Sequence, residues 1–439
     1  MRYLSLLLVG ALVNSVGSGL TAFGLGVFAY NAYGTASAVA LVQLCAFAPI
    51  VLLAPLAGAL ADRFDRRLMM LLGDGCSVIG LGVVMVALGS PTPRLAYVLA
   101  GVTASSCFAA LTEPALRASV SDLVGEEDYV RSAGMLQAAS SARYLLSPLL
   151  AGLLLPVVGL RGLLVLDAST CLVTAACSGA VMRSVGRRRT DQWEGAGLAH
   201  HLLGGWRALS VRPGLRSLVG LMTFMTLTIG MLQVLLKPIM LPHVGTAAMG
   251  RLETVAAVGI LAGAGLVTAL GRLRPTTLLS LGAAGTGVSM VLLGLHVWPW
   301  WVALTGFAVF TFLGLCNAGA ETLVRLSIDK DHQARAWGTI SLVTQLGYLL
   351  AYLAAGPLAD RLLAPLMEPD GALAPSLGTL MGTGTGRGAA LLVVLAGVVT
   401  TGLAVLTHAR RRILGGAAVE AQEPLEALAV SAALQHHSV

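Results

Sequence analysis

Charged side chains are scarce in this sequence. Asp, Glu, Lys and Arg make up 11% of its 439 residues, where soluble globular chains carry about 25%. Lysine is nearly missing, with only Lys237 and Lys330. There is no glycine-rich phosphate loop ending in Gly-Lys-Ser/Thr, so nothing in the chain points to nucleotide hydrolysis. The six cysteines (Cys45, Cys76, Cys107, Cys171, Cys177 and Cys316) lack metal-ligand spacing and sit in apolar stretches, where they read as small buried hydrophobes. The histidines do not cluster: His200 and His201 fall in a polar segment and His296 at a helix end. Neither a metal nor another cofactor is expected. Short apolar–polar alternation, the mark of an outer-membrane barrel, is absent as well.

What is present is long apolar runs. Tyr3 to Tyr30 contains no charge, and Gly75 to Ser90 contains none. A bilayer core about 30 Å thick needs roughly 20 apolar residues as helix. The 53 glycines suit close helix packing in lipid. The first run is too long for a signal-peptide core and is read as a retained span. The fold expected is an all-α membrane protein of twelve transmembrane helices in two six-helix pseudo-repeats. Spans are expected near 3–30, 36–60, 68–90, 95–118, 132–156, 163–183, 217–241, 248–270, 276–296, 300–323, 337–359 and 388–408. Turn signals separate them, among them Pro91-Thr-Pro93, Val158-Gly-Leu-Arg-Gly162 and Trp298-Pro-Trp-Trp301.

Arginine sets the orientation. With the N-terminus inside, the inner loops hold Arg63, Arg66, Arg67, Arg117, Arg131, Arg183, Arg187 to Arg189, Arg207, Arg212, Arg216, Arg272, Arg274, Arg325, Lys330, Arg335 and Arg410 to Arg412. The outer side keeps Arg94, Arg161, Lys237, Arg251, Arg361 and Arg387. The positive-inside rule then places both termini in the cytoplasm. The net charge of +7 is a membrane-topology signal and not a nucleic-acid footprint. The domain division expected is a six-helix bundle at 1–183, a cytoplasmic linker at 184–216 with an amphipathic stretch at 198–209, a second bundle at 217–408 and a cytoplasmic tail at 409–439. The halves echo each other. Glu113-Pro-Ala-Leu-Arg117-Ala-Ser119 matches Glu321-Thr-Leu-Val-Arg325-Leu-Ser327, each at the inner end of the fourth span of its half.

At the second inner loop the chain reads Gly58-Ala-Leu-Ala-Asp62-Arg63-Phe-Asp65-Arg66-Arg67. This resembles the signature between helices 2 and 3 of the major facilitator superfamily. The stretches Glu113-Pro114 to Gly152 and Gly356-Pro-Leu-Ala-Asp360-Arg361 look like its macrolide-efflux and enterobactin-exporter branch. The chain departs from that branch at Gly17-Ser18-Gly19, where an acidic residue is common, and at the degenerate Gly271-Arg-Leu-Arg274. The resemblance implies a conformational latch of Gly58, Asp62, Arg63, Arg66 and Arg67. In it Gly58 admits a close neighbour, and Asp62 accepts from free N–H groups near Ala336 and Trp337 at the start of span eleven, holding the outward-open state. The plainer reading of Arg66 and Arg67 is a solvated run that sets topology.

Further candidates come from charge in apolar surroundings. Arg143, midway along span five, must face an interior cavity, with Asp74 as a possible partner; the alternative is a structural ion pair. Glu253, near the outer end of span eight, is a candidate proton carrier, as is Asp167, though an interfacial carboxylate is the plainer reading of both. The four-residue pairs Glu113–Arg117 and Glu321–Arg325 form a candidate cytoplasmic gate, or else solvated pairs of small energy. Asn14, Ser15, Ser18, Gln43, Gln137, Gln233, Asn317 and Gln345 either line the cavity or bond between helices. The tryptophans at 298, 300 and 301 read as an interfacial anchor.

These features point to a secondary transporter and away from an enzyme: a monomer in the cell's inner membrane, exporting amphipathic small molecules in exchange for protons, with the lipid bilayer as its other partner. The rival readings are a nutrient importer, a lysophospholipid transporter on the same fold, and a non-transporting receptor or assembly factor.

Overall fold

The computed structural model describes residues 2–91, 93–123, 129–185, 213–328 and 333–409. The regular elements among them are all helical. Lipid offers no hydrogen bonds to a backbone, so each crossing segment must satisfy its own N–H and C=O groups. The first half contains α1 (Arg2–Tyr33), α2 (Ala36–Arg63), α3 (Arg66–Ala87), α4 (Leu95–Ala109), α5 (Thr112–Leu123), α6 (Tyr129–Leu145) and α7 (Ser147–Val185). The second contains α8 (Pro213–Met240), α9 (Thr246–Ala269), α10 (Pro275–Leu295), α11 (Pro299–Ser327) and α12 (Gln333–Pro357). It continues through a π-helical turn at Leu358–Leu363, a 3-10 turn at Pro365–Met367, α13 (Leu377–Met381) and α14 (Arg387–Ala409). Helix starts follow local chemistry. The Asp65 side chain accepts from the Arg67 N–H at the head of α3, and Pro275 and Pro299 open α10 and α11.

Among the described residues, eleven helices are long and apolar enough to cross a membrane, one fewer than the twelve expected. The difference lies in α6 and α7. The expected fifth span is split at Leu146 between these two helices, and α7 runs on through the expected fifth-to-sixth turn. Gly159 interrupts α7 with φ 68° and ψ 177°, a backbone that glycine adopts without steric cost. Contacts with α1 show the reversal. Gly19 lies against Ser147 and the Arg143 carbonyl, Gly24 against Leu160 and Leu163, and Gly10 against Thr174 and Cys177. The chain thus climbs from Arg143 to Gly159 and returns along α1, which restores twelve crossings. The fourth span is also broken, at Ala110–Leu111 between α4 and α5, whereas its counterpart α11 is continuous.

Among the described residues, the buried ones form three apolar clusters. The largest draws on both halves. It includes Phe23 and Val27 of α1, Val39 and Val42 of α2, Ile239 and Met240 of α8, Met249 of α9, and Ala355, Leu363 and Met367 from the end of α12 onward. All lie away from the arginine-rich loops. The other two are confined to one half each, near the arginine-rich face: Leu4, Leu7, Met69, Met70, Ala115 and Val181 in the first, Leu215, Leu279, Cys316, Leu323 and Ile340 in the second. The halves therefore share a core at one face and part at the other, leaving the molecule open toward the arginine-rich side.

The expected amphipathic stretch at 198–209, nearly all of the linker, Lys330 and the tail from 410 onward lie outside the described residues, as do the side chains of Asp62 and Arg335.

Candidate functional site

Polar side chains of the first half meet in a chain across its helices. Thr112 Oγ1 on α5 donates to Asp74 Oδ1 on α3 at 2.9 Å, and Asn14 Nδ2 on α1 reaches the same oxygen at 3.4 Å. Cys171 Sγ on α7 lies 3.4 Å from Asn14 Oδ1 and 3.9 Å from Asp167 Oδ1. Asp74 and Asp167 are 2% and 3% exposed, so neither is the interfacial carboxylate that Asp167 was expected to be. Buried polar atoms are nearly always paired. Asp74 Oδ2 is not, and neither is Arg143 Nε. Arg143 lies within electrostatic reach of Asp167. The expected Arg143–Asp74 pairing is not made, and the reason is register. Arg143 sits level with Gly19 of α1, whereas Asp74 sits level with Asn14. Five residues of helix separate those levels by about 7.5 Å.

Next to Arg143, the seam between the halves is aromatic. Phe47 of α2 packs edge-on against Tyr348 and Tyr352 of α12, with ring centroids 5.5 and 5.8 Å apart. The Tyr352 hydroxyl donates to Gln233 Oε1 of α8 at 3.0 Å. Arg143 and Tyr144 of α6 lie within electrostatic reach of Tyr352. Of these seam residues only Arg143 and Gln233 were singled out from sequence. A signal for the aromatics existed. Tyr348 and Tyr352 fall mid-span, four apart on one helix face, away from the interfaces where membrane tyrosines concentrate.

Nearer the closed face, Lys237 Nζ of α8 and Glu253 Oε1 of α9 are 2.6 Å apart, with side chains 6% and 18% exposed. The ammonium also sits 5.1 Å from the Phe23 ring centroid of α1. Gly26 leaves room for its stem, since a Cβ there would lie 2.8 Å from Lys237 Cε. Glu253 is therefore half of a buried ion pair that braces the second half against α1, a role its sequence context did not reveal. In the turn after α8, His243 is held below the ordinary imidazole value by burial and, second, by the Arg387 charge.

The arginine-rich face is different. Arg117 Nη2 meets Glu113 Oε1 at 2.8 Å, and Arg325 Nη2 lies 4.0 Å from Glu321 Oε2. Each pair lies along one helix, more than half exposed, and neither bridges the halves. At Gly58 the expected close approach is not made: a Cβ there would meet nothing within 4 Å, because the halves part at this face. Arg66 and Arg67 are not a solvated run. Arg66 Nη1 donates to the Ala118 carbonyl at 2.9 Å, tying α3 to α5, and Arg67 is 6% exposed. Arg63 lies 5.7 Å from the Phe64 ring centroid.

Residues 7–352 match the family model described as Major Facilitator Superfamily. The chain belongs to that superfamily. Its relatives include the MFS-type transporter YfiS of Bacillus subtilis, 26% identical over 328 residues, covering 71% of this chain and 76% of that one. Macrolide efflux protein A of Streptococcus pyogenes is 30% identical over 142 residues, 30% of this chain and 33% of the relative. Lysophospholipid transporter LplT of Shigella flexneri serotype 5b is 26% identical over 242 residues, 52% and 56% of the two chains. Among solved structures, a bacterial homologue of the human lysosomal transporter Spinster, inward-facing and unoccupied, superposes with a TM-score of 0.70. It is 15% identical and covers 95% of this chain and 98% of its own. A bacterial homologue of the iron transporter ferroportin, also inward-facing, gives 0.65 at 15% identity over 91% and 98%. The protein is thus a multi-pass membrane transporter of the major facilitator fold, not an enzyme.

Proposed function

We propose that this major facilitator protein exports amphipathic small molecules in exchange for protons, by alternating access between two six-helix bundles. The bundles span 1–183 and 217–408, joined by the 184–216 linker, with a tail at 409–439. The arginine-rich face is cytoplasmic, both termini lie there, and the protein works as a monomer in the inner membrane. The observation that carries this reading is the seam. An aromatic surface from Phe47, Tyr348 and Tyr352, with Arg143 and Gln233 as its polar points, suits a bulky and partly apolar substrate. Partial likeness to a macrolide efflux protein favours such a substrate and a role in antibiotic resistance. Asp74, with one oxygen unpaired, and Asp167, within electrostatic reach of Arg143, offer two proton sites inside the first half. Glu113–Arg117 and Glu321–Arg325 stand at the mouth that closes when the halves rock, where they can exchange partners.

The test is accumulation of a fluorescent macrolide in cells expressing the protein, with and without a protonophore. Lower accumulation that the protonophore reverses is expected; equal accumulation in both conditions sinks proton-driven export. A second reading, lysophospholipid transport, is favoured by a groove of about 760 Å³ on α3 and α4, lined by Ile79, Val83, Val86, Arg94 and Tyr97. It faces outward, and Arg94 stands at its end, suited to a phosphate. Movement of labelled lysophospholipid across proteoliposomes, with no macrolide export, would select this reading.

A further inference from the structure

The motif Gly58-Ala-Leu-Ala-Asp62-Arg63 at the end of α2 occurs a second time, as Gly356-Pro-Leu-Ala-Asp360-Arg361 at the end of α12. The two helices pair at the seam, and in the twelve-crossing topology they run in opposite directions. One copy therefore ends at each face, beside the start of the other helix. At the closed face the second copy is engaged. Asp360 Oδ1 accepts from the Ala36 N–H at 3.0 Å, and Oδ2 accepts from the Ser37 N–H at 2.7 Å and from Ser37 Oγ at 2.6 Å. Thr35 Oγ1 accepts from the Ala38 N–H at 3.3 Å, so the first three donors of α2 are satisfied, two of them by the other half of the molecule. A carboxylate at a helix N-terminus also gains from the helix dipole. The glycine explains the close approach: a Cβ at Gly356 would strike the Ser37 backbone. At the open face the equivalent Gly58 meets nothing. The π-helical turn Leu358–Leu363 carries Asp360, and such widened turns often mark functional positions.

We infer that the two copies form a reciprocal pair of latches, with Asp360 as the positioning residue that holds the face opposite the arginine-rich loops closed while the halves stand apart at Gly58 of the first copy. In the alternate state the closed face opens, Ala36 and Ser37 turn their N–H groups to water, and the Asp62 copy closes on the start of α12. Each latch replaces the other, so the free-energy difference between the two states stays small and both remain accessible. The inference rests on alternating access, which the superfamily supplies, and on neither the substrate nor the coupling ion.

The experiment measures the two states directly, in full-length protein reconstituted in lipid. Spin labels on non-canonical residues leave the six native cysteines intact. One label pair, at Pro91 and Asp370, reports the closed face; a second, at Gly134 and Thr322, reports the open one. Asp360→Asn is expected to move the population ratio about tenfold or more toward opening at the Pro91–Asp370 face, as loss of charge-assisted hydrogen bonds requires. Ser37→Ala, which removes one of the three donors, should move it less in the same direction, and it remains informative if Asp360→Asn does not fold. Asp62→Asn should move it the opposite way, and the double variant should return toward wild type. Unchanged distances in Asp360→Asn and Ser37→Ala, or a shift in the same direction as Asp62→Asn, would overturn the latch pair. Transport of any one substrate does not enter this readout, so failure of the export reading would leave the result standing.

Discussion

Buried ionisable side chains carry the strongest consequences at the scale of single residues. Lys237 and Glu253 are a close pair in an apolar setting. Removing one partner leaves the other charge buried alone, whereas removing both leaves a packed apolar site. Lys237→Met should therefore destabilise the protein by about 3–5 kcal/mol, and Lys237→Met with Glu253→Gln should recover most of that. Thermal unfolding in detergent checks this; equal loss in both variants would show that the ammonium acts through Phe23 and not through Glu253. Asp74 makes a different case, because one of its oxygens has no partner. If that oxygen takes the coupling proton, Asp74→Asn keeps the hydrogen bond from Thr112 yet abolishes concentrative export, while substrate exchange across proteoliposomes continues. Retained uphill transport would remove Asp74 from the coupling site. Charge in an apolar run was visible in the sequence, and so Asp74, Arg143 and Glu253 were found. Their pairings were not, because Lys237 and Asp167 are brought to them by packing between helices rather than by spacing along one.

At the scale of elements, the joints between helices decide how the halves meet. α7 and α9 cross backbone to backbone at the closed face. A Cβ on Gly152 would lie 3.0 Å from Gly250 Cα, and one on Gly250 would strike the Pro148 carbonyl. Gly250→Leu should hold this joint apart. Overpacking of this kind costs about 1–3 kcal/mol, enough to bias a balanced two-state protein away from closure at this face. The expected outcome is normal membrane insertion with transport lost, read by vesicle assay and by increased thiol labelling of a cysteine placed at Ala247. Normal transport would mean that α9 can yield. Helix existence was legible from apolar length alone. The break between α4 and α5 and the long α7 were not, since hydropathy is blind to a two-residue turn inside an apolar run and to where a helix resumes after a glycine.

At the scale of the whole molecule, one shared core and two separate ones define a single open side. Tyr144, 52% exposed beside Arg143, lies on the path that this opening creates. A cysteine at Tyr144 should react with an impermeant thiol reagent from the arginine-rich side and resist it from the other, and closing the Asp62 latch should slow the reaction. Equal labelling from both sides would contradict a closed opposite face. Apolar run length and the recurring Glu–Arg stretch were enough to read off the membrane-spanning helices and the repeated halves, with Arg and Lys concentrated in one set of loops. These follow from lipid excluding charge and unpaired backbone, and that penalty acts segment by segment. Helix packing is what brings Asp167 rather than Asp74 within electrostatic reach of Arg143, sets Tyr348 and Tyr352 against Phe47, and caps α2 with Asp360. Those contacts join residues as far as 324 positions apart, and which atoms meet there depends on the rotation and register of packed helices, to which the transfer of a segment into lipid is indifferent.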